Sequence, residues 1–261
     1  MVKNNTFLIR YLQYFLKAKG ANSIHSPFVF ELYNKVITDN ARFYDFGAIE
    51  KLREQLLYSK EVIETIDFGA GEGGAKIRKI SEITKTTSIP ASKGRILFRL
   101  VNHMQPKILV EMGTSLGIST LYLSKAVPDA KIVTMEGSQN IAKVAFKNFS
   151  ILKARNIKLV TGKFGETLPL VIKELDKADF VFFDGNHRKE ATFEYFKTFL
   201  PLASNKCVFV FDDIRWSDGM YEAWNEIIKE PNVTVSIDLF SFGIVFLNLQ
   251  QAKEDFVLWK K

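Results

Sequence analysis

The stretch ILVEMGTSLGIST, residues 108–120, decides the fold of this chain. Its first residues, 108–110, are a short apolar run of the kind that forms a buried strand. Gly113 and Gly117 follow, and glycine lets the backbone turn sharply and a ligand come close. Hydroxyl side chains stand where a helix begins, at Ser115, Ser119 and Thr120. The pattern predicts a strand, a tight loop and a helix whose first amides can hold a flat, nucleoside-like ligand.

Taken alone, the loop fits a purely structural turn as well as it fits a ligand site. A second feature favours the ligand site. The spacing Gly-x-x-x-Gly is not the Gly-x-Gly-x-x-Gly of dinucleotide binders. The next apolar strand, Lys131–Met135, ends at Glu136, which lies 136 − 113 = 23 residues after Gly113. Dinucleotide folds place their ribose-binding acid after about 20 residues. A carboxylate at Glu136 can therefore accept hydrogen bonds from both hydroxyls of a ribose.

Five motifs extend this pattern along the last two thirds of the chain: EMGTSLGIST, VTMEGS, TGKFGETLP, VFFDGNH and VFVFDD. In these motifs and their order the chain resembles the class I S-adenosylmethionine-dependent methyltransferases, specifically the O-methyltransferase-like branch. The resemblance implies an α/β, Rossmann-like fold with a seven-stranded, mostly parallel sheet and helices on both faces. It implies the strand order 3-2-1-4-5-7-6, counted from the strand at Ile108, with the last strand antiparallel.

The resemblance also implies S-adenosylmethionine as the cofactor. Lys163 and Phe164 are expected to border its adenine, where an aromatic face is useful for stacking. The residues expected to bind the cofactor are Glu111, Gly113, Thr114, Ser115, Gly117, Ser119, Glu136, Gly137, Lys163, Phe164 and Asp184.

Three carboxylates close neighbouring strands of the expected sheet. Asp184 ends the fourth strand, and Asp212 and Asp213 end the fifth. Carboxylates that converge repel one another, and Mg²⁺ or a similar hard cation would relieve that repulsion. Some members of the resembling branch use such a cation to lower the pKa of a substrate hydroxyl. Asp213 stands where the catechol-type pattern has asparagine, which is closer to the sugar- and antibiotic-tailoring enzymes. In the alternative, Asp184 contacts the ammonium group of the cofactor and Asp212 caps the next helix.

His187 follows the fourth strand and is, with Asp184, the candidate catalytic residue. Without a metal, an imidazole is the natural general base for a hydroxyl. A polar loop histidine that only orients the Asp184 turn fits the sequence equally well. Arg215 and Trp216 are expected to border the substrate entrance.

Composition predicts an ordinary soluble protein of the cytoplasm. The 261 residues are 47% hydrophobic and 25% charged. The single cysteine, Cys207, provides no disulfide framework. Arg10 and Gln13 interrupt the N-terminal apolar residues, so we expect no signal peptide. No run approaches the ~20 apolar residues of a membrane span.

The net charge of +7 lies in one segment. Residues 75–107 contain eight Lys or Arg and one acid, Glu82. Such a segment could meet an acidic substrate, a nucleic acid or an anionic membrane surface, although a solvated basic face is the simpler interpretation. No aromatic-interleaved RNA-binding module accompanies it, so a nucleic-acid partner is not expected.

Residues 1–90 are predicted to form a helical cap, and residues 91–261 the methyltransferase domain. An amphipathic helix should end near Gly20, Ser26-Pro27 should start a helix that reaches Ile37, and a third helix should span Phe46–Tyr58. Aromatic helix faces of this kind form a core or a dimer interface, and less often lie on a membrane or roof an active site. A homodimer through the N-terminal helices is therefore one expectation.

Residues 66–74, IDFGAGEGG, look locally more like a cofactor loop than the stretch at 108–120. No second apolar strand ending in an acid follows them, so we interpret them as a turn in the cap that could cover the substrate. At the other end, Val233–Asp238 and Gly243–Leu249 are too close for a crossover helix and should form a hairpin.

The chain as a whole is predicted to methylate an oxygen of a small or medium-sized acceptor. Two other classes stay open: a nucleic-acid methyltransferase that uses the basic segment, and a non-catalytic cofactor-binding protein.

Overall fold

The computed structural model describes residues 4–66 and 74–259. The chain divides into two compact units, which we call the continuous unit, Asn40–Asp176, and the split unit, Met1–Asp39 with Lys177–Lys261. The predicted boundary between a cap and a methyltransferase domain at residue 90 stays a prediction.

Helices occur along the whole described chain. They are α1 Asn4–Lys17, α2 Pro27–Leu32, α3 Tyr44–Leu57, α4 Ile80–Thr87, α5 Ala91–Met104, α6 Ile118–Ala126, α7 Gln139–Ile151, α8 Phe164–Lys173, α9 Lys189–Phe199 and α10 Asp218–Ile227. A π-helical turn, Tyr33–Ile37, continues α2, and short 3₁₀ turns occupy Ala21–Ser23 and Leu200–Leu202.

The strands form a small sheet and a large one. They are β1 Val62–Ile66, β2 Ala75–Lys79, β3 Ile108–Met112, β4 Lys131–Glu136, β5 Ile157–Thr161, β6 Ala178–Phe183, β7 Ala203–Asp212, β8 Val233–Asp238, β9 Phe242–Leu247 and β10 Glu254–Val257. In the described residues, β3 to β10 make up an eight-stranded, mostly parallel sheet flanked by helices, as the α/β prediction requires.

In the continuous unit, β3 pairs in parallel with β4, and β4 with β5. This is the predicted order 3-2-1. The strands are short apolar runs because a parallel sheet is covered on both faces. Leu109, Val110, Ile132 and Met135 have almost no solvent exposure.

In the split unit, β6 and β7 are parallel, and β9 lies antiparallel between β7 and β8. This confirms the predicted order 4-5-7-6 and the C-terminal hairpin. The prediction of seven strands was wrong, because β10 adds a further strand parallel to β8. Only Phe256 of β10 is buried, so this edge strand lacks the apolar run that announces a buried one.

The N-terminal region is helical where the sequence predicts it. Ser26 caps α2 by accepting a hydrogen bond from the backbone N–H of Val29, and Pro27 occupies the first turn. One element was missed: β1 and β2 form an antiparallel pair on either side of the glycine-rich residues. Residues 67–73 of that predicted turn lie outside the described residues. These two strands were not predicted because β2 is polar and basic, and its Ile77 is exposed.

Aromatic rings fill much of the core of the split unit. Phe183 stacks on Phe211 with ring centroids 4.6 Å apart, and Phe196 meets Phe209 edge to face at 5.3 Å. Cys207 is buried on β7, as a packed strand residue should be. Within the described part of the chain, no helix is long and apolar enough to cross a membrane.

Candidate functional site

The loop between β3 and α6 has the backbone geometry that its glycines predict. Gly113 has φ 109° and Gly117, the N-cap of α6, has φ 83°. A Cβ on Gly117 would overlap the ring of Phe149, whose Cζ would lie 2.9 Å away. Gly117 therefore meets two separate requirements, a left-handed backbone and close packing against α7. Ser115 is also left-handed, at φ 47°.

Glu136 holds two loops of the continuous unit together. One carboxylate oxygen accepts the backbone N–H of Ser115, and the other accepts that of Ser138, each at 2.9 Å. Gly137 lies between Glu136 and Ser138. A carboxylate oxygen can accept more than one hydrogen bond, so these two contacts are compatible with a ligand hydroxyl at Glu136. The predicted ribose acid thus lies beside the glycine loop, with its orientation fixed.

Glu111 lies beneath the loop in a buried network of hydroxyls. It is 0% exposed, and one of its carboxylate oxygens accepts hydrogen bonds from Thr120 and from Thr134, the latter at 2.6 Å. The hydroxyl of Thr114 lies 2.6 Å from that of Thr134. The other oxygen of Glu111, Oε1, has no hydrogen-bond partner among the described residues. The sequence analysis missed Thr134, whose only signal is a hydroxyl inside an apolar strand.

Burial raises the pKa of Glu111 from 4.5 to about 7, although the hydrogen bonds from Thr120 and Thr134 lower it. The folded protein holds the proton of Glu111 more tightly than the unfolded chain does, and this stabilises the fold. The contribution is fully present below pH 4.5 and is lost as the pH rises through about 7. This loss lowers the free energy of unfolding of the wild type by roughly 3 kcal/mol. Because the side chain of Glu111→Gln stays neutral, we expect that decrease to be absent in the variant.

Urea unfolding well below and well above pH 7 measures this effect, with Glu54→Gln on α3 as the control that removes an exposed carboxylate. An equal fall in stability in the wild type and in Glu111→Gln would contradict the assignment.

The remaining predicted cofactor residues of this unit surround the same strand ends. Ser119 is buried in the first turn of α6. Lys163 is the N-cap of α8 and is exposed, and Phe164 begins that helix half-buried. The hydroxyl of Ser115 lies 2.6 Å from that of Thr87, at the end of α4. Thr87 was not predicted, because nothing in its sequence context distinguishes it.

The continuous unit fits the adenosine part of the implied cofactor. The carboxylate of Glu136 is held beside the glycine loop, and Gly113 and Gly117 have no side chains that would block a ligand there. The unpartnered Oε1 of Glu111 is a further acceptor in the same loop region.

In the split unit, the turn after β6 carries Asp184 and His187, both half-buried. Asn186 between them has a left-handed backbone, φ 63°, and donates from its Nδ2 to the hydroxyl of Tyr195 at 3.0 Å. Its Oδ1 is buried and has no hydrogen-bond partner in the described parts of the chain. The sequence analysis quoted Asn186 only as part of a motif, yet its side chain fixes this turn to α9.

The acids after β7 point in directions that the sequence does not reveal. Asp212 is buried, and its Oδ1 accepts the backbone N–H of Asp213 at 2.9 Å. Asp213 has φ 54° and is half-buried. Over residues 4–66 and 74–259, no group of three or more His, Cys, Asp or Glu is arranged to hold a metal ion. As they stand, Asp184, Asp212 and Asp213 do not fit the predicted cation, and we derive no catalytic step from one.

Arg215 does not simply border an entrance, because it is buried in an ion pair. Its guanidinium bonds both carboxylate oxygens of Asp238 and also donates to the backbone oxygen of Phe240 at 2.8 Å. Tyr14, Tyr221 and Phe240 surround it with ring centroids 5.0 to 5.6 Å from the guanidinium carbon. Trp216, by contrast, is 56% exposed.

A methyltransferase-domain family matches residues 110–214. The catechol O-methyltransferase of Niastella koreensis is 29% identical over 130 residues, which cover 49% of this chain and 58% of that protein. The catechol O-methyltransferase of Mycobacterium tuberculosis is 30% identical over 135 residues, which cover 51% and 60%. The chain thus spans less than two thirds of the length of either relative.

Solved structures share the fold. The O-methyltransferase TomG from Streptomyces achromogenes, in complex with S-adenosylmethionine, aligns with a TM-score of 0.54 at 23% identity and covers 62% of this chain and 82% of that chain. The O-methyltransferase from Bacillus cereus, in complex with S-adenosylhomocysteine, aligns with a TM-score of 0.59 at 18% identity and covers 80% and 92%. The matched methyltransferase-domain family and the shared fold support the resemblance of the motifs to the class I, O-methyltransferase-like methyltransferases.

Proposed function

We propose that the protein transfers the methyl group of S-adenosylmethionine to an oxygen of a small acceptor. The observation that carries the proposal is the position of Glu136, whose carboxylate is fixed by the amides of Ser115 and Ser138 beside the glycine loop. The similarity to two catechol O-methyltransferases supports an oxygen acceptor.

When bound, S-adenosylmethionine supplies a methyl group on a positively charged sulfur. The residues proposed to hold it are those around Gly113, Gly117 and Glu136, with Lys163 and Phe164 at the adenine. We assign His187 the role of general base, which takes the proton of the acceptor hydroxyl so that the oxygen can attack. Asp184 is proposed to contact the ammonium group of the cofactor.

Calorimetry with S-adenosylhomocysteine tests the cofactor assignment. Glu136→Ala is expected to weaken binding roughly tenfold, about 1.4 kcal/mol, because a charged acceptor is lost from two hydroxyls. Glu174→Ala, which removes an exposed carboxylate of the same unit, is the matched control and should bind like the wild type. Unchanged binding in Glu136→Ala, or preferred binding of NAD, would refute the assignment.

Methyl transfer from labelled S-adenosylmethionine to a catechol separates two ways of activating the acceptor. If His187 is the base, His187→Ala should lower kcat by roughly 10²–10⁴-fold, and excess chelator should have little effect. His25→Ala, at an exposed histidine, is the matched control. Loss of activity in chelator with His187→Ala still active would instead support the predicted divalent cation.

The other predicted partners and the location stay predictions. A homodimer through the N-terminal helices is tested by sedimentation velocity. A nucleic-acid acceptor is not expected, since the basic segment is partly used within the fold: Arg99 is buried, and the guanidinium carbon of Arg95 lies 5.7 Å from the ring centre of Phe46. A cytoplasmic location was predicted from composition alone.

A further inference from the structure

Helix α1 has an exposed apolar face. Leu8, Leu12 and Leu16 are 57%, 51% and 83% exposed, and their spacing of four residues places them in one row along the helix. Single exposed leucines are common on soluble proteins, but a continuous row is not. Other large apolar side chains of α1 are exposed beside this leucine row: Phe7, Ile9, Tyr11 and Phe15.

The helix is fixed in this orientation by its opposite side. Tyr14 is buried and donates a hydrogen bond to the backbone oxygen of Leu258 at 2.5 Å, while Arg10 is buried in an ion pair with Asp218. At the edge of the leucine row, the partly exposed ring of Phe15 also meets Trp259 edge to face with centroids 4.6 Å apart. Because these contacts hold α1 from one side, rotating the helix to bury the leucine row would break them.

The segment that carries the leucine row is positively charged. The first 30 residues contain no Asp or Glu, and their basic residues are Lys3, Arg10, Lys17 and Lys19. Of these, Lys17 and Lys19 are exposed at the end of α1. An apolar face with aromatic side chains, with basic residues at the end of the helix and on its other side, is the composition of helices that lie in the interface of an anionic bilayer.

We propose that α1 docks the protein on an anionic lipid surface, with the leucine row buried among the acyl chains and Lys17 and Lys19 at the headgroups. A second copy of the chain is a poorer occupant. Stable protein interfaces use about 20–30 residues on each side, whereas α1 has 14 residues in all.

The full-length protein should co-sediment with phosphatidylcholine vesicles that contain phosphatidylglycerol, and far less with vesicles of phosphatidylcholine alone. Leu12→Gln with Leu16→Gln should lower the partition coefficient at least about tenfold, because two buried aliphatic side chains are lost. The matched control is Ile151→Gln with Leu170→Gln, which removes two exposed aliphatic side chains from α7 and α8.

Lys17→Gln with Lys19→Gln keeps the leucine row and should remove most of the dependence of binding on phosphatidylglycerol and on salt. If circular dichroism shows that the leucine variant does not fold, this second variant tests the lipid proposal on its own. Absence of wild-type binding to the vesicles, or an equal loss in the control, overturns the proposal. A dimer in sedimentation velocity that the leucine variant dissociates, without vesicle binding, also overturns it and assigns the face to a second copy.

Discussion

Gly117→Ala is expected to destabilise the protein by about 3 kcal/mol. A non-glycine residue in the left-handed region costs roughly 1–2 kcal/mol, and forcing a methyl group into a packed site costs roughly 1–3 kcal/mol. Both costs apply, because Gly117 has φ 83° and its added Cβ would overlap the ring of Phe149. Urea unfolding measures the loss, and S-adenosylhomocysteine affinity should fall as the loop shifts.

Gly47→Ala is the matched control in the same unit. Gly47 lies inside α3, where an added Cβ meets nothing within 4 Å. Alanine there should raise stability by roughly 0.5–1 kcal/mol, since glycine is a poor helix former. If Gly117→Ala were as stable as the wild type and bound the cofactor product equally well, the loop would not have the rigidity that we infer.

Asp238→Leu is expected to cost roughly 3–5 kcal/mol, because it leaves the guanidinium of Arg215 buried and unpaired. Both side chains are 7% exposed, and Asp238 also accepts the backbone N–H of Phe240 at 2.8 Å. The double variant Arg215→Met, Asp238→Leu should recover most of the loss, since no buried charge remains. Urea unfolding of the single and double variants measures both quantities.

Lys35→Met provides the comparison for an exposed pair in the same unit. Lys35 and Glu31 lie 2.7 Å apart with side chains 65% and 47% exposed, so their separation should cost under about 1 kcal/mol. A double variant at 215 and 238 that is no more stable than Asp238→Leu would show that the loss arises from packing and not from the unpaired charge.

The strands from β3 to β9 could be predicted because each is rich in apolar residues. Their apolar runs are continuous in β3, β6, β7 and β9 and are interrupted by polar residues in β4, β5 and β8, and the loop at Gly113 to Gly117 follows from the glycines alone. The edge strand β10 was missed because Glu254 and Asp255 begin it and only Phe256 is buried. Edge strands need no second apolar face, so their sequence carries little signal.

The directions of side chains at the strand ends could not be predicted. Asp212 and Asp213 were expected to converge with Asp184, but Asp212 accepts its neighbour's backbone N–H and Asp213 has a left-handed backbone. The partner of Arg215 was equally hidden, since Asp238 lies 23 residues away in sequence. Such pairings depend on tertiary contacts, which no local pattern encodes.

The contact of helix α1 with the far end of the chain sets an order of assembly during synthesis. Tyr14 and Leu258 are 244 residues apart, and the backbone of Lys19 bonds that of Val257 and Trp259. The continuous unit, Asn40–Asp176, is complete on emerging from the ribosome, whereas these contacts of α1 must wait until the last strand is made. A nascent chain stalled before β10 lacks Trp259 and the backbone acceptor of Tyr14, so it should bind chaperones more strongly than a released one.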